Sequence, residues 1–236
     1  MHIDQSDFHD QLMRGLAHKM NNILSLFHGY VGLLLDNKKL DPSLIDDLGK
    51  IEQGAQAASE LMDRTKSLAR PSSIIVRNID VAEFLRGLKT TLQNEAGNGV
   101  KIKITWENDM PIMRTDGSRL KAAIVELVRN ACDASKEKGT VQLKAYARAN
   151  GRGAGANGQS HTMRRFFFDV TDSGPGIPTE SVSRVFQPFF TTKHKQGAVG
   201  LGLTVAVGLI QQLGGMICFE SQPGRTTFQI SLPESE

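Results

Sequence analysis

The sequence predicts two domains of different class, an all-α helical hairpin over residues 1–72 and an α+β domain over residues 73–236. Three observations carry this. Two long apolar stripes with three- and four-residue spacing occupy the first 70 residues, as amphipathic helices require. The run Pro71-Ser72-Ser73 ends the second stripe, because proline cannot continue a helix. Beyond it, short β-branched runs alternate with helical ones, the texture of a mixed sheet covered by helices.

The first stripe is Phe8, Leu12, Leu16, Met20, Ile23, Phe27, Val31 and Leu34. Charged and turn-forming residues interrupt it over 36–42, where Asp41 before Pro42 suits a helix N-cap with proline in the first turn. A second stripe follows through Leu44, Leu48, Ile51, Ala55, Ala58, Leu61 or Met62, Thr65 and Leu68. An isolated hairpin covers one side of each stripe only. Pairing two hairpins into a dimeric four-helix bundle buries both, so a homodimer is expected. The alternative is that the hairpin packs on the remainder of its own chain.

In the second domain, strands are expected at 74–76, 100–106, 141–147, 165–171, 216–221 and 226–232, and helices at 81–97, 118–138 and 201–213. The glycine-rich run 150–158 has little to bury and reads as a mobile hairpin loop between 149 and 161.

A chain of 236 residues is long enough to give each domain a core. Lysine and arginine number 28 against 25 acidic residues, a mild excess that gives no nucleic-acid-binding footprint. No apolar run approaches the roughly 18 residues of a membrane span, and the N-terminus has no signal-peptide pattern, so a cytoplasmic protein is expected. Cys132 and Cys218 lie in apolar segments without metal-ligand spacing and read as buried reduced thiols.

Four motifs stand in order in the second domain. Glu126, Asn130, Asp133 and Ala134 share one face of a helix by their spacing. Asp172-Ser173-Gly174-Pro175-Gly176 follows an apolar strand; alone, such a segment is often only a tight turn. Val185-Phe186-Gln187-Pro188-Phe189-Phe190-Thr191-Thr192-Lys193 is too interrupted by proline for an ordinary strand or helix. Gly197-Ala198-Val199-Gly200-Leu201-Gly202 leads into a helix, where exposed N–H groups and the positive end of the dipole favour phosphate.

Together these resemble the N, G1, F and G2 boxes of the histidine kinase ATP-binding domain, an α+β sandwich of the superfamily shared with DNA gyrase B and heat-shock chaperones. The resemblance covers roughly residues 75–233 and implies ATP and Mg²⁺. It implies Asn130 as the Mg²⁺ ligand, Asp172 as acceptor from the adenine amino group, and Gly174 and Gly176 as the floor of the base pocket. Gly200 and Gly202 would let the lid approach the triphosphate, with Lys193 and Lys195 adding positive charge near the γ-phosphate. Asp133, Phe186, Leu201 and Thr227 complete the nucleotide contacts it implies. Magnesium suits a single amide ligand, since phosphate oxygens and water fill its remaining positions.

In the hairpin, Leu16-Ala17-His18-Lys19-Met20-Asn21-Asn22 resembles the H box of dimerising histidine kinases. His18 is two residues from both Leu16 and Met20, about 160–200° around the helix from the stripe, so its imidazole is expected to face solvent as the phosphoacceptor. Neutral imidazole is a good nucleophile near neutral pH. Asn22 lies one turn on, where the resemblance implies a role in orienting water for dephosphorylation of a response regulator. Lys19 departs from the family, which usually has an acidic residue there. Lysine takes no proton at pH 7, although its charge attracts phosphate. His9-Asp10 has the acidic neighbour but lies near the start of the helix and lacks the later asparagine, and it ranks below His18.

The expected function is thus a sensor-less histidine protein kinase core that phosphorylates His18 and passes the group to a receiver-domain aspartate. Only seventeen residues precede His18, so either this is part of a longer chain or the signal arrives through a separate sensor or upstream protein. The competing readings are a phosphotransfer or phosphatase module with weak autokinase activity, a superfamily ATPase with Glu126 activating water, and a non-catalytic dimeric scaffold. The glycine motifs speak against the scaffold.

Overall fold

A computed structural model describes residues 5–35, 40–68, 74–96, 99–135, 139–154, 160–192 and 200–234. Side chains are described throughout these except at 5–18, 42, 57, 60, 61, 63–68, 150–154 and 160–163. The chain divides into two compact units, Met1–Pro71 and Ser72–Glu236.

The first unit is a pair of helices, α1 (Gln5–Leu35) and α2 (Pro42–Leu68), packed on each other. Asp41 starts α2 as expected: its Oδ1 accepts from the Ser43 backbone N–H at 2.8 Å and from the Ser43 hydroxyl at 2.5 Å. The buried seam keeps Val31, Leu48 and Ala55 of the expected stripes and adds Leu24. Leu24 and Val31 of α1 meet Leu48 and Ala55 of α2, and His28 Nδ1 lies 2.6 Å from Glu52 Oε1 across the pair. Met20, Ile23, Phe27 and Leu34, expected inside, are exposed in a single chain. Their 3-4-7 spacing marks a second face, so α1 carries two apolar seams and the partner helix covers only one.

The second unit is a two-layer α+β sandwich. Its five-stranded sheet has the order β2 (Lys101–Trp106), β4 (Thr140–Ala154), β5 (Ser160–Asp172), β7 (Arg225–Pro233), β6 (Met216–Gln222). The β2–β4 pair is parallel and the others antiparallel. Alternation places Val141, Leu143, Ala145, Phe166, Phe168, Val170, Phe228, Ile230 and Leu232 on one buried face. Three helices cover it: α3 (Val81–Ala96), α4 (Gly117–Ser135) and α5 (Gly202–Gln212). Each presents an apolar stripe, as with Val81, Leu85, Leu88 and Leu92 of α3. Asp80 caps α3, its Oδ1 accepting from the Glu83 N–H at 2.9 Å.

Three expectations on the fold need correction. The first strand is β1 (Arg77–Ile79), paired with β3 (Met113–Thr115), not 74–76; Ile74, Ile75 and Val76 are exposed, and three-residue strands give too little alternation to read. The β4–β5 ladder runs past the expected loop to the pair Ala154–Ser160, with a register shift between Ala149 and Arg152. Glycine weakens a strand without forbidding it, and a bulge absorbs the mismatch. Residues 155–159, the rest of the expected loop, lie outside the described residues. Cys218 is exposed, because its strand is half-covered and residue 218 points away from the helices; Cys132 is buried as expected.

Candidate functional site

Asp116 sets the start of α4. Its Oδ1 accepts from the Ser118 and Arg119 N–H groups at 3.0 and 3.2 Å, its Oδ2 accepts from the Ile75 N–H at 3.1 Å, and it pairs with the Arg119 guanidinium. Burial pushes the Asp116 carboxyl up, but the backbone donors at Ile75, Arg119 and Ser118 and the Arg119 charge outweigh it and hold the group below its usual range. With its first turn fixed, α4 buries Leu120, Ile124, Leu127, Val128 and Ala131 and presents Glu126, Asn130 and Asp133 along another face. Glu126 and Asn130 are partly buried and Asp133 is exposed.

β5 ends on Asp172, only 3% exposed, with Oδ1 accepting from the Gly174 N–H at 2.8 Å. This tight turn rests on the end of α4: a Cβ at Gly174 would lie 2.8 Å from the Ala134 carbonyl oxygen. Gly176 has φ +88°, and a Cβ there would meet the Gln222 carbonyl oxygen at 2.8 Å. Both glycines are therefore dictated by close backbone approach as well as by the turn. The Ile177 N–H donates to Ser221 Oγ at 2.8 Å, and Ser221 Oγ lies 2.9 Å from Thr226 Oγ1, which fixes the loop on β6 and β7.

Burial pushes the Cys132 thiol up to about 11, helped by the negative charges of Asp133, Glu95 and Asp172. The thiol is thus protonated and chemically quiet, and three carboxylates converge on this end of α4.

A short 3₁₀ helix, Thr179–Arg184, leads into the aromatic run. Phe186 is partly buried, edge-on to Phe219 and Phe228 at centroid distances of 5.7 and 6.3 Å. The Thr204 hydroxyl of α5 donates to the Phe186 carbonyl at 3.2 Å. Gly200 has φ +76° and packs on the backbone of Phe189 and Phe190. Leu201, the N-cap of α5, has its side chain buried in the core.

The structure therefore gathers Glu126, Asn130, Asp133, Asp172, Gly174, Gly176, Phe186, Gly200 and Gly202 around the α4 face, the β5 end and the α5 entry. Thr227 does not join them on the same side of the sheet. It pairs with Thr171, their hydroxyl oxygens 2.9 Å apart, whereas the residue paired with Asp172 and buried on its face is Thr226. Counting the two-residue period from buried Phe228 finds Thr226 in the sequence. Arg129 and Glu95, joined to Glu126 through hydrogen bonds of 3.1 and 2.8 Å, were also not foreseen; no sequence motif marks a contact across 34 residues. Lys193, Lys195 and Gly197 lie outside the described residues. In the first unit His18 is within α1 with its side chain outside the described set, while Lys19 and Asn22 are exposed.

Residues 115–236 match the family described as histidine kinase-, DNA gyrase B- and HSP90-like ATPase. The chain belongs to this family. Its sequence relatives narrow the branch: it is 31% identical over 225 residues to the sensor kinase CckA of Brucella abortus, covering 94% of this chain and 24% of CckA. It is 30% identical over 226 residues to the sensory histidine kinase/phosphatase NtrB of Vibrio alginolyticus, covering 94% of this chain and 61% of NtrB. It thus carries a histidine kinase catalytic core and spans between a quarter and three fifths of the length of these two relatives. Among solved structures, full-length ShkA in complex with AMPPNP superposes with a TM-score of 0.70 at 21% identity, over 94% of this chain and 45% of ShkA. The histidine kinase AdeS of Acinetobacter baumannii gives 0.61 at 18%, over 93% and 98%. At these identities the likeness concerns the fold alone. No helix among the described residues is long and apolar enough to cross a membrane.

Proposed function

We propose that this chain is an ATP-dependent histidine autokinase core whose phosphoacceptor is His18 and whose final acceptor is an aspartate of a response-regulator receiver domain. The observation that carries this is the buried Asp172 carboxylate, which accepts from the Gly174 N–H in its own glycine turn against the end of α4. A carboxylate accepts several hydrogen bonds at once, so beside its turn contact it is also an acceptor of the right kind for an adenine amino group. Thr226 beside it replaces Thr227 as the neighbouring hydroxyl contact.

Among the described residues no three His, Cys, Asp or Glu side chains form a metal-holding group. The donor set fits a magnesium ion held mainly by the nucleotide: the Asn130 amide supplies one oxygen and the phosphates supply others. When bound, such an ion would neutralise charge on the phosphates. Asn130 orients the triphosphate, and the N-terminal turn of α5 offers N–H donors to it. A neutral His18 ring nitrogen attacks the γ-phosphorus, the bond from that phosphorus to the β–γ bridging oxygen breaks, ADP leaves, and the proton on the other ring nitrogen passes to solvent. Lys19 does not take that proton.

The exposed seam of Met20, Ile23, Phe27 and Leu34 supports a homodimeric four-helix bundle. Asn22, exposed one turn beyond His18, together with the kinase/phosphatase relative, supports dephosphorylation of the receiver as a second activity. Glu126 as a water-activating base is less well supported, since Oε1 is engaged by Arg129. Residues 1–72 as phosphoacceptor domain and 73–236 as ATP-binding domain follow from the same reading, as does a cytoplasmic location. Asn130→Ala tests the site: it abolishes magnesium-dependent labelling of the chain by γ-labelled ATP, and labelling at the wild-type rate contradicts the reading.

A further inference from the structure

Two glycines lead into α5, and they are needed for different reasons. Gly200 has a positive φ and lies on the backbone of Phe189 and Phe190, so its requirement is local. Gly202 is the first residue of α5 and has no such dihedral. What a side chain at 202 would meet is Glu126: a Cβ there would lie 2.9 Å from Glu126 Oε2. The space above Gly202 is filled by a carboxylate from α4.

That carboxylate is held from behind. Glu126 Oε1 accepts from Arg129 Nη1 at 3.1 Å, and Arg129 Nε donates to Glu95 Oε2 of α3 at 2.8 Å. The Glu126 side chain is 12% exposed, so its charge has lost most of its water. The guanidinium and the positive end of α5 offset that loss. The chain of contacts therefore runs Glu95, Arg129, Glu126, Gly202, across α3, α4 and α5.

We propose that Glu126 is a positioning residue, a strut braced by Arg129 and Glu95 that sets the height of the α5 N-terminal turn over the ligand face of α4. Resting on the nucleotide reading above, this assigns the strut the task of fixing how closely α5 approaches the outermost phosphate. It also gives Gly202 a different reason from the one its motif implies: the glycine makes room for Glu126.

The test uses the full-length chain as wild type, Gly202→Ala, Glu126→Ala and the double variant, with magnesium AMPPNP and magnesium ADP binding by calorimetry and thermal unfolding of each protein. Gly202→Ala weakens AMPPNP binding tenfold or more in the wild-type background, and weakens ADP binding less. In the Glu126→Ala background, itself severalfold weaker, the same substitution costs under twofold, because the obstructing carboxylate is gone. An equal loss in both backgrounds, a loss under threefold in the wild type, or equal losses for ADP and AMPPNP each overturns the proposal. If the wild type binds neither nucleotide, the nucleotide reading falls and the strut is judged by unfolding alone. Gly202→Ala must then lower the midpoint in the wild type and leave it unchanged in Glu126→Ala; equal lowering in both overturns the strut itself.

Discussion

The two units bury their apolar residues to very different degrees. In the α+β unit Leu85, Leu120, Ile124, Leu143, Phe166 and Phe168 are wholly enclosed by helices and sheet of the same chain. In the helical unit the described core is Leu24, Val31, Leu48 and Ala55, while Tyr30 and Leu33 are 67% and 71% exposed and Ile23, Leu26, Phe27 and Leu34 are exposed beside them. One unit closes its own core; the other presents a second seam that a single chain leaves open. The same amphipathic spacing in a sequence thus has two outcomes, and only the count of available partners separates them.

The sharpest way to break this contrast is to charge the open seam. Ile23→Asp combined with Phe27→Glu removes about 3–6 kcal/mol from each hairpin and hence about 6–12 kcal/mol per pair, taking roughly 1.5–3 kcal/mol for each large side chain buried. Sedimentation should show the dimer weakened by about 10⁴-fold or more, while the α+β unit keeps its unfolding transition. A variant that dimerises like wild type places the interface elsewhere.

A smaller effect tests the closed unit's site. Asp172→Asn keeps the shape of the buried side chain but loses its charge-assisted hydrogen bonds, worth about 1.5–3 kcal/mol each. Nucleotide affinity should fall about 10- to 100-fold with the fold intact, by calorimetry alongside circular dichroism. Unchanged affinity removes Asp172 from the adenine contact.

The resemblance reached the site residues because their spacing along single elements was informative: Glu126, Asn130 and Asp133 lie on one helix, and Asp172, Gly174 and Gly176 on one turn. Contacts between elements were not legible in this way. The Glu95–Arg129–Glu126 chain spans two helices, and the Thr226–Asp172 pairing depends on strand register. Leu201 illustrates the same limit, since its position in a nucleotide motif does not reveal that its side chain is committed to the core. In the hairpin, the stripes expected from sequence mixed the two faces: Val31, Leu48 and Ala55 are in the covered seam, whereas Met20, Ile23, Phe27, Leu34, Leu44 and Ile51 are exposed. Leu24, one position from Ile23, was not in the expected stripe and joins Val31 in the covered seam; a helix with two apolar faces gives no local sign of which its nearest neighbour covers.

Asp116→Ala probes the anchor of α4. It removes an N-cap and the contact to Ile75, and should destabilise the α+β unit by about 2 kcal/mol, lowering its midpoint by about 4–8 °C. Since the folded-state carboxyl is held below its usual 3.8, its contribution is present above that pH and is lost as pH falls through the depressed folded value. The wild type should therefore lose stability below about pH 4 more steeply than Asp116→Ala. Parallel pH profiles for the two proteins would remove Asp116 from the account of acid sensitivity.

The smallest expected change concerns Lys19, exposed beside the proposed acceptor. A carboxylate there can take the imidazole proton, and general-base assistance is worth about 10²- to 10⁴-fold in full. Partial restoration by Lys19→Glu should raise the single-turnover labelling rate by about tenfold. If Lys19→Glu is slower than Lys19→Ala, the lysine assists by drawing phosphate toward His18 and the proton-acceptor argument fails.

The central claim is that the nucleotide bound by the closed unit is used on a histidine of the open one. It is tested most directly by incubating wild type and His18→Gln with γ-phosphate-labelled ATP and magnesium, then treating the products with acid and alkali. The account predicts a label on the wild type that survives alkali and is lost in acid, as a phosphorus–nitrogen bond requires, and no label on His18→Gln. Full labelling of His18→Gln, or a wild-type label stable to acid, would contradict it.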